Sequence, residues 1–173
     1  MTAPQEVQLL AQLKLAVAKR RETDCNALAD YLDDVGGALQ GQVNSLDRLK
    51  TALALLTPDQ FPVPLIPFVN GNAGAPILNP GVAPSGFAPE FQDQIPNADQ
   101  AHHFAAFFQL GFAYGSTIAG AAASWWEQLE GTPGNSGDIM LGQAAALMGA
   151  AVGAGLLPVQ DVGETVRATL CQK

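Results

Sequence analysis

Two long stretches without a charged residue decide the fold of this chain: FAAFFQLGFAYGSTIAGAAASWW at residues 104–126 and IMLGQAAALMGAAVGAGLL at residues 139–157. A turn rich in Gly, Pro and Asn separates them. Their length and composition predict one helix over residues 98–129 and a second that begins with Asp138 as its N-terminal cap. We expect the two helices to pack as a hairpin.

The hairpin can lie either in a membrane or in the core of a soluble protein. Charge-free segments of this length can span a bilayer, and both contain small residues four apart, which let helices approach closely. Large apolar side chains are sparse, however, and no cluster of Lys or Arg flanks the segments to orient them in a membrane. We therefore expect a soluble protein with a buried hairpin, and we keep membrane insertion of residues 104–157 as the alternative.

The net negative charge of the chain argues against two classes of binding partner, nucleic acids and anionic lipids. The 173 residues include 16 Asp and Glu against 8 Lys and Arg, a net charge of −8, and residues 51–166 contain no Lys or Arg. Nucleic-acid binding depends on basic side chains that neutralise phosphates, so nucleic acid is excluded as a partner. The same charge argues against docking on anionic lipid through a basic patch. We expect a cytoplasmic protein, with export by a signal-independent route as an alternative.

Composition divides the chain into three segments. Residues 1–56 form an amphipathic helical segment, and residues 57–97 contain nine of the twelve prolines together with many apolar residues. This apolar content predicts an ordered strap laid over the helices, with a turn at Asn70-Gly71. Residues 98–173 form an Ala/Gly-rich helical core that ends in a short helix. The expected fold is all-α: an N-terminal helical hairpin, the strap, and a compact bundle around the buried hairpin.

The N-terminal segment carries a regular apolar face. From residue 28 onward, apolar residues recur in steps of three and four, as in an amphipathic helix or a coiled-coil seam. The series is Leu28, Leu32, Val35, Leu39, Val43, Leu46, Leu49, Leu53 and Leu56. We expect a break or bend around Gly36, Gly37 and Gly41 that divides the segment into two or three helices, because each mid-helix glycine costs about 1 kcal/mol relative to alanine. The face predicts a protein partner, or self-association, through residues 3–56.

One group of residues can carry chemistry: Asp99, His102 and His103, near the start of the helix over residues 98–129. Residues three or four apart lie on one side of a helix, so Asp99 can orient an imidazole as a general base requires. The positive end of the helix dipole also favours a neutral, proton-accepting imidazole. The sequence therefore predicts a catalytic group of Asp99, His102 and His103.

Helix length decides which other acids can reach these histidines. A straight helix over residues 98–129 is about 45–48 Å long. The acids at or just beyond its far end, Glu127, Glu130 and Asp138, then lie out of reach of His103.

The returning second helix instead predicts Asp161 and Glu164 as partners of the histidines. A break between residues 111 and 120 would reopen this question, because it would fold the far end of the first helix back toward its start.

Other candidate residues carry weaker signals. Tyr114, Trp125 and Trp126 can line a binding pocket. Cys25 and Cys171 are expected to be free thiols, because nothing in their spacing requires them to meet. Without a CxxC motif or a Cys/His cluster, the sequence predicts no metal site and no cofactor.

These observations leave three functional interpretations. The first is a non-catalytic helical interaction or assembly protein of bacterial type, because no nucleophile elbow, SxxK motif or phosphate-binding loop is present. The second is a small hydrolase-like enzyme that uses the His–Asp pair at the start of the first core helix. The third is a membrane-inserting effector or toxin that uses the hairpin of residues 104–157.

Overall fold

The structure is a computed structural model, and it describes residues 25–40, 49, 52–53, 86–92, 100–129 and 135–173. The regular secondary structure of these residues is helical, apart from one isolated β-bridge between Phe87 and Cys171. The α-helices are α1 (Cys25–Leu39), α2 (Gln100–Tyr114), α3 (Ser116–Leu129), α4 (Ser136–Gly153) and α5 (Val162–Leu170), with 3₁₀ turns at Pro89–Phe91 and Val159–Asp161. The predicted all-α fold is confirmed. The boundaries of the three predicted segments stay predictions.

Glycines allow α2 and α4 to pack backbone against backbone. A methyl group on Gly111 would overlap the carbonyl of Ala146, and one on Gly149 would overlap the carbonyl of Phe108. Small residues at such positions permit a close approach of two helices. The two charge-free stretches therefore pack against each other, as predicted. Across the described residues, no helix combines the length and the apolarity needed to cross a bilayer.

The first charge-free stretch forms two helices, so the prediction of one helix over residues 98–129 is wrong. The chain breaks at Gly115, which has a φ of +83°. This left-handed conformation is easy for glycine and strained for residues with a side chain. After the break, α3 folds back and packs against both α2 and α4. An otherwise uninterrupted helical pattern concealed the turn, because one glycine inside such a pattern does not by itself end a helix.

A disulfide joins Cys25, at the start of α1, to Cys171, directly after α5. The prediction of two free thiols is wrong. The cysteines are 146 residues apart in the sequence, but their Cα atoms lie 5.3 Å apart because α1 and α5 pack side by side. Disulfides of this kind are typical of oxidising compartments, so the predicted cytoplasmic location stays a prediction.

Helix α1 continues through Gly36 and Gly37 and ends at Leu39, so the chain does not break at these two glycines. Gly41 lies outside the described residues. The reason is packing: a methyl group on Gly36 would lie 2.7 Å from the Cα atom of Gln160. The lack of a side chain at Gly36 therefore lets the helix pack closely against the turn that precedes α5. Exposed Gly37 has no such neighbour within 4 Å.

The predicted apolar face of α1 is buried within this chain. Its side chains pack in the core together with the inner face of the short last helix, as predicted. The members are Leu28, Leu32, Val35 and Leu39 on α1, and Val162, Val166 and Leu170 on α5. Most of residues 3–56 lie outside the described part of the chain, so a partner or self-association through this segment stays a prediction.

Residues 86–92 are the described part of the proline-rich strap. Phe87 and Phe91 are buried, and the backbone of this segment pairs with the end of the chain. The Ala88 amide donates to the Leu170 carbonyl at 2.7 Å, and the Gln172 amide donates to the Gly86 carbonyl at 2.9 Å. These contacts hold residues 86–92 against the core, and the strap as a whole stays a prediction. The rest of the strap, including Asn70-Gly71, lies outside the described residues.

Candidate metal centre

Three buried titratable side chains meet where three helices come together. His103 lies in the first turn of α2, Glu127 in the last turn of α3, and Asp138 in the first turn of α4. One ligand atom from each residue lies within 4.8 Å of the other two. The exposed fractions are 6% for His103, 0% for Glu127 and 5% for Asp138. This arrangement is a candidate site for a metal ion.

The break at Gly115 is what assembles this site. Because α3 folds back along α2, its last turn returns to the first turn of α2, and Glu127 reaches His103. The sequence predicted Asp161 and Glu164 as partners of the histidines, and this is wrong: both acids are exposed, next to and within α5.

The prediction that Asp138 is the N-terminal cap of the second core helix is wrong. The helix begins one turn earlier than expected, and Asn135 occupies the N-terminal cap position. Asp138 is therefore inside the first turn, where its Oδ2 accepts a hydrogen bond of 2.6 Å from Asn135 Nδ2. This bond fixes the orientation of the Asp138 carboxylate. A hydrogen bond from a neighbouring side chain to a ligating carboxylate is a common feature of metal sites.

The imidazole of His103 is held in its neutral form. Burial lowers its pKa from 6.5 to about 4, although a backbone hydrogen bond with Asp138 acts in the opposite direction. Its Nε2 atom has no hydrogen-bond partner among the described residues, and its ring stacks at a tilt on Phe107 with 4.6 Å between centroids. A neutral imidazole with an available nitrogen is the form that binds metals.

Gly142 packs closely beside this nitrogen. A methyl group at Gly142 would lie 3.0 Å from His103 Nε2 and 2.7 Å from the Cβ atom of Ala123. The absence of a side chain at this position therefore lets α4 approach His103 on α2 and Ala123 on α3.

The other predicted site residues are distributed differently. His102 is buried, and burial lowers its pKa, but it is not part of the cluster. Asp99 lies outside the described residues, so its pairing with a histidine stays a prediction. Tyr114 and Trp125 are exposed, near opposite ends of α3, and Trp126 is half-buried against the core. Their role as pocket residues also stays a prediction.

The burial of His103 predicts a loss of stability in mild acid. The unfolded chain takes up a proton at this imidazole near pH 6.5, but the folded protein does so only near pH 4. The free energy of unfolding therefore falls as the pH drops through this window. Between pH 7 and pH 5 we expect the metal-free protein to lose about 2 kcal/mol through His103.

Urea unfolding in the presence of a chelator at pH 7, 6 and 5 measures this loss. We expect His103→Gln to remove most of it, and His102→Gln to remove a smaller part, because the pKa of His102 is lowered in the same direction. An identical pH dependence in the wild type and His103→Gln would contradict the assignment.

The sequence contained one usable signal for this site. Glu127 and Asp138 flank the turn between two apolar helices in a region without Lys or Arg, and Gly115 offers a break that returns the first of them to His103. No protein-family model matches this chain, and comparisons with curated proteins and with solved structures found no significant similarity. The function is therefore inferred from the chemistry of the site alone.

Proposed function

We propose that this protein binds one divalent metal ion through His103, Glu127 and Asp138. The observation that carries the proposal is the buried Nε2 atom of His103, which has no hydrogen-bond partner among the described residues and belongs to a cluster with two buried carboxylates. A neutral imidazole and two carboxylates form a common ligand set for transition metals.

A cation suits the chemistry of this cluster. Two of its three side chains are buried carboxyl groups, and a buried carboxylate requires a compensating charge or a proton. A bound divalent ion would supply that charge.

The size of the cluster also suits an ion. Ligand atoms that bind one ion at about 2.0–2.2 Å lie some 3–4 Å from each other. The three ligand atoms of the cluster lie within 4.8 Å of one another, so they would have to move closer together to bind one ion. The bond from Asn135 keeps Oδ2 of Asp138 engaged and leaves Oδ1 for the ion.

The position of the site indicates what binding does to the protein. The ion would join the start of α2, the end of α3 and the start of α4. The end of α3 returns to the start of α2 because the chain breaks at Gly115, and both helices pack against α4. We infer that the metal ties the three helices together at this end of the bundle, while the glycine contacts tie α2 to α4 along their length.

Calorimetric titration of the chelator-treated full chain with Mn²⁺ and with Zn²⁺ tests the proposal. We expect one ion per chain, and an affinity reduced by about 100-fold or more in His103→Ala, because a ligand is removed. His102→Ala is the matched control, since His102 is the neighbouring buried histidine and is not part of the cluster. Equal binding by the wild type and His103→Ala, or no binding by the wild type, would refute the proposed function.

A further inference from the structure

Gln100 opens α2 one turn before His103, and its side chain is buried, with an exposed fraction of 3%. Residues three apart lie on the same side of a helix, so Gln100 and His103 are neighbours at the end of α2 that carries the cluster. The Oε1 atom of Gln100 has no hydrogen-bond partner among the described residues. A buried acceptor without a hydrogen bond lowers the free energy of unfolding. This acceptor lies one helical turn before His103, one of the candidate metal ligands.

The unsatisfied atoms of the core share one chemical property. In the described part of the chain, four buried side-chain atoms lack a hydrogen bond: Gln100 Oε1, His103 Nε2, Glu127 Oε1 and Asp138 Oδ1. Both acids also make other contacts. The amide oxygen of Gln100 and the Nε2 atom of a neutral His103 are acceptors, and so is any carboxylate oxygen of Glu127 and Asp138 that carries no proton. A metal cation accepts electron pairs from all of them, whereas a single hydrogen-bond donor satisfies one or two.

A second buried glutamine on the same helix shows the ordinary arrangement. Gln109 has an exposed fraction of 2%, and its Nε2 donates to the carbonyl of Ala105 at 3.3 Å. Its side-chain atoms are absent from the unsatisfied group. Burial on α2 therefore does not by itself leave a glutamine oxygen without a partner, and the difference points to the site beside Gln100.

We propose that the Gln100 side-chain oxygen is a fourth ligand, and that the resulting oxygen-rich site suits ions of the Mn²⁺ or Fe²⁺ class. This inference rests on the proposed function. The ligand set is one imidazole nitrogen, two carboxylate oxygens and one amide oxygen. Oxygen-rich sets with a single imidazole suit Mn²⁺ and Fe²⁺, whereas structural Zn²⁺ sites are dominated by cysteine and histidine. Both cysteines are already consumed by the disulfide.

The test compares Gln100→Ala with Gln109→Ala in the full chain. Binding of Mn²⁺ is followed by the EPR signal of the free ion, and binding of Zn²⁺ by competition with a chromophoric chelator. We expect Gln100→Ala to weaken Mn²⁺ binding by about tenfold and Zn²⁺ binding by less than about threefold, because Zn²⁺ is satisfied with four ligands including water. Gln109→Ala should match the wild type. Gln100→Glu should keep or increase the Mn²⁺ affinity, because it retains an oxygen ligand.

The outcomes separate this inference from the proposed function. If Gln100→Ala binds Mn²⁺ like the wild type while His103→Ala does not bind it, Gln100 is not a ligand and the three-residue site stands. Equal losses of Mn²⁺ and Zn²⁺ affinity in Gln100→Ala would overturn the assignment of the metal class. If the wild type binds neither ion, both the inference and the proposed function fail.

Discussion

Reduction of the Cys25–Cys171 disulfide is expected to lower the free energy of unfolding by about 2–5 kcal/mol. The bond closes a loop of 146 residues, and cross-links that close long loops restrict the unfolded chain most strongly. Because Cys25 and Cys171 are buried at 0% and 5% exposure, the reduced thiols remain packed between α1 and the end of the chain, and the loss arises mainly in the unfolded state.

Thermal unfolding with and without a phosphine reductant measures this effect. For a chain of this length, 2–5 kcal/mol corresponds to a decrease in Tm of about 4–20 °C. The double variant Cys25→Ala, Cys171→Ala serves as the control, because the reductant should leave its Tm unchanged. If thiol titration shows two free thiols after reduction and the Tm of the wild type stays constant, the stabilising role is wrong.

Saturation of the candidate site with metal is expected to stabilise the wild type by about 4 kcal/mol when the free ion is a thousandfold above its Kd. The ion binds the folded protein, where three helices present His103, Glu127 and Asp138 together, and the unfolded chain has no such preformed site. At two to four degrees per kcal/mol, Tm should rise by about 8–16 °C.

Glu127→Gln provides a sharp control for this stabilisation, because the side chain keeps its shape and loses its charge. We expect the metal-dependent rise in Tm to disappear in the variant. Without metal, the variant should be at least as stable as the wild type, since it removes one of two buried carboxylates that lie close together. A variant that is merely misfolded would be less stable in both conditions. A full metal-dependent rise in Glu127→Gln would contradict the assignment of this ligand.

The sequence predicted the parts of the fold that depend on local periodicity. The apolar steps in α1 and α5, and the close packing of the two charge-free stretches, follow from side-chain spacing and small residues. The disulfide was beyond such reasoning, because two cysteines 146 residues apart meet only through the packing of α1 against α5. The helix does not break at Gly36, although glycine weakens an isolated helix, because close contact with Gln160 requires glycine there.

The sequence singled out one residue of the candidate site, as a catalytic residue, and predicted no metal site. His103 was identified from the sequence, but its two partners were placed out of reach, because a straight helix was assumed across Gly115. One left-handed glycine reverses the direction of the chain and brings Glu127 back to the start of α2. Asp138 was interpreted as a helix cap because an acid at a helix start usually has that role. Asp138 lies inside the first turn because Asn135 occupies the cap position. Residue spacing alone does not decide which of the two residues is the cap.

Crystals of the full chain grown with Mn²⁺ test the central claim most directly, through an anomalous difference map collected at the manganese edge. We expect one strong peak about 2.0–2.3 Å from His103 Nε2 and from carboxylate oxygens of Glu127 and Asp138. A map with no peak at this junction, at an ion concentration that saturates the protein in solution, would contradict the account and place the bound ion elsewhere.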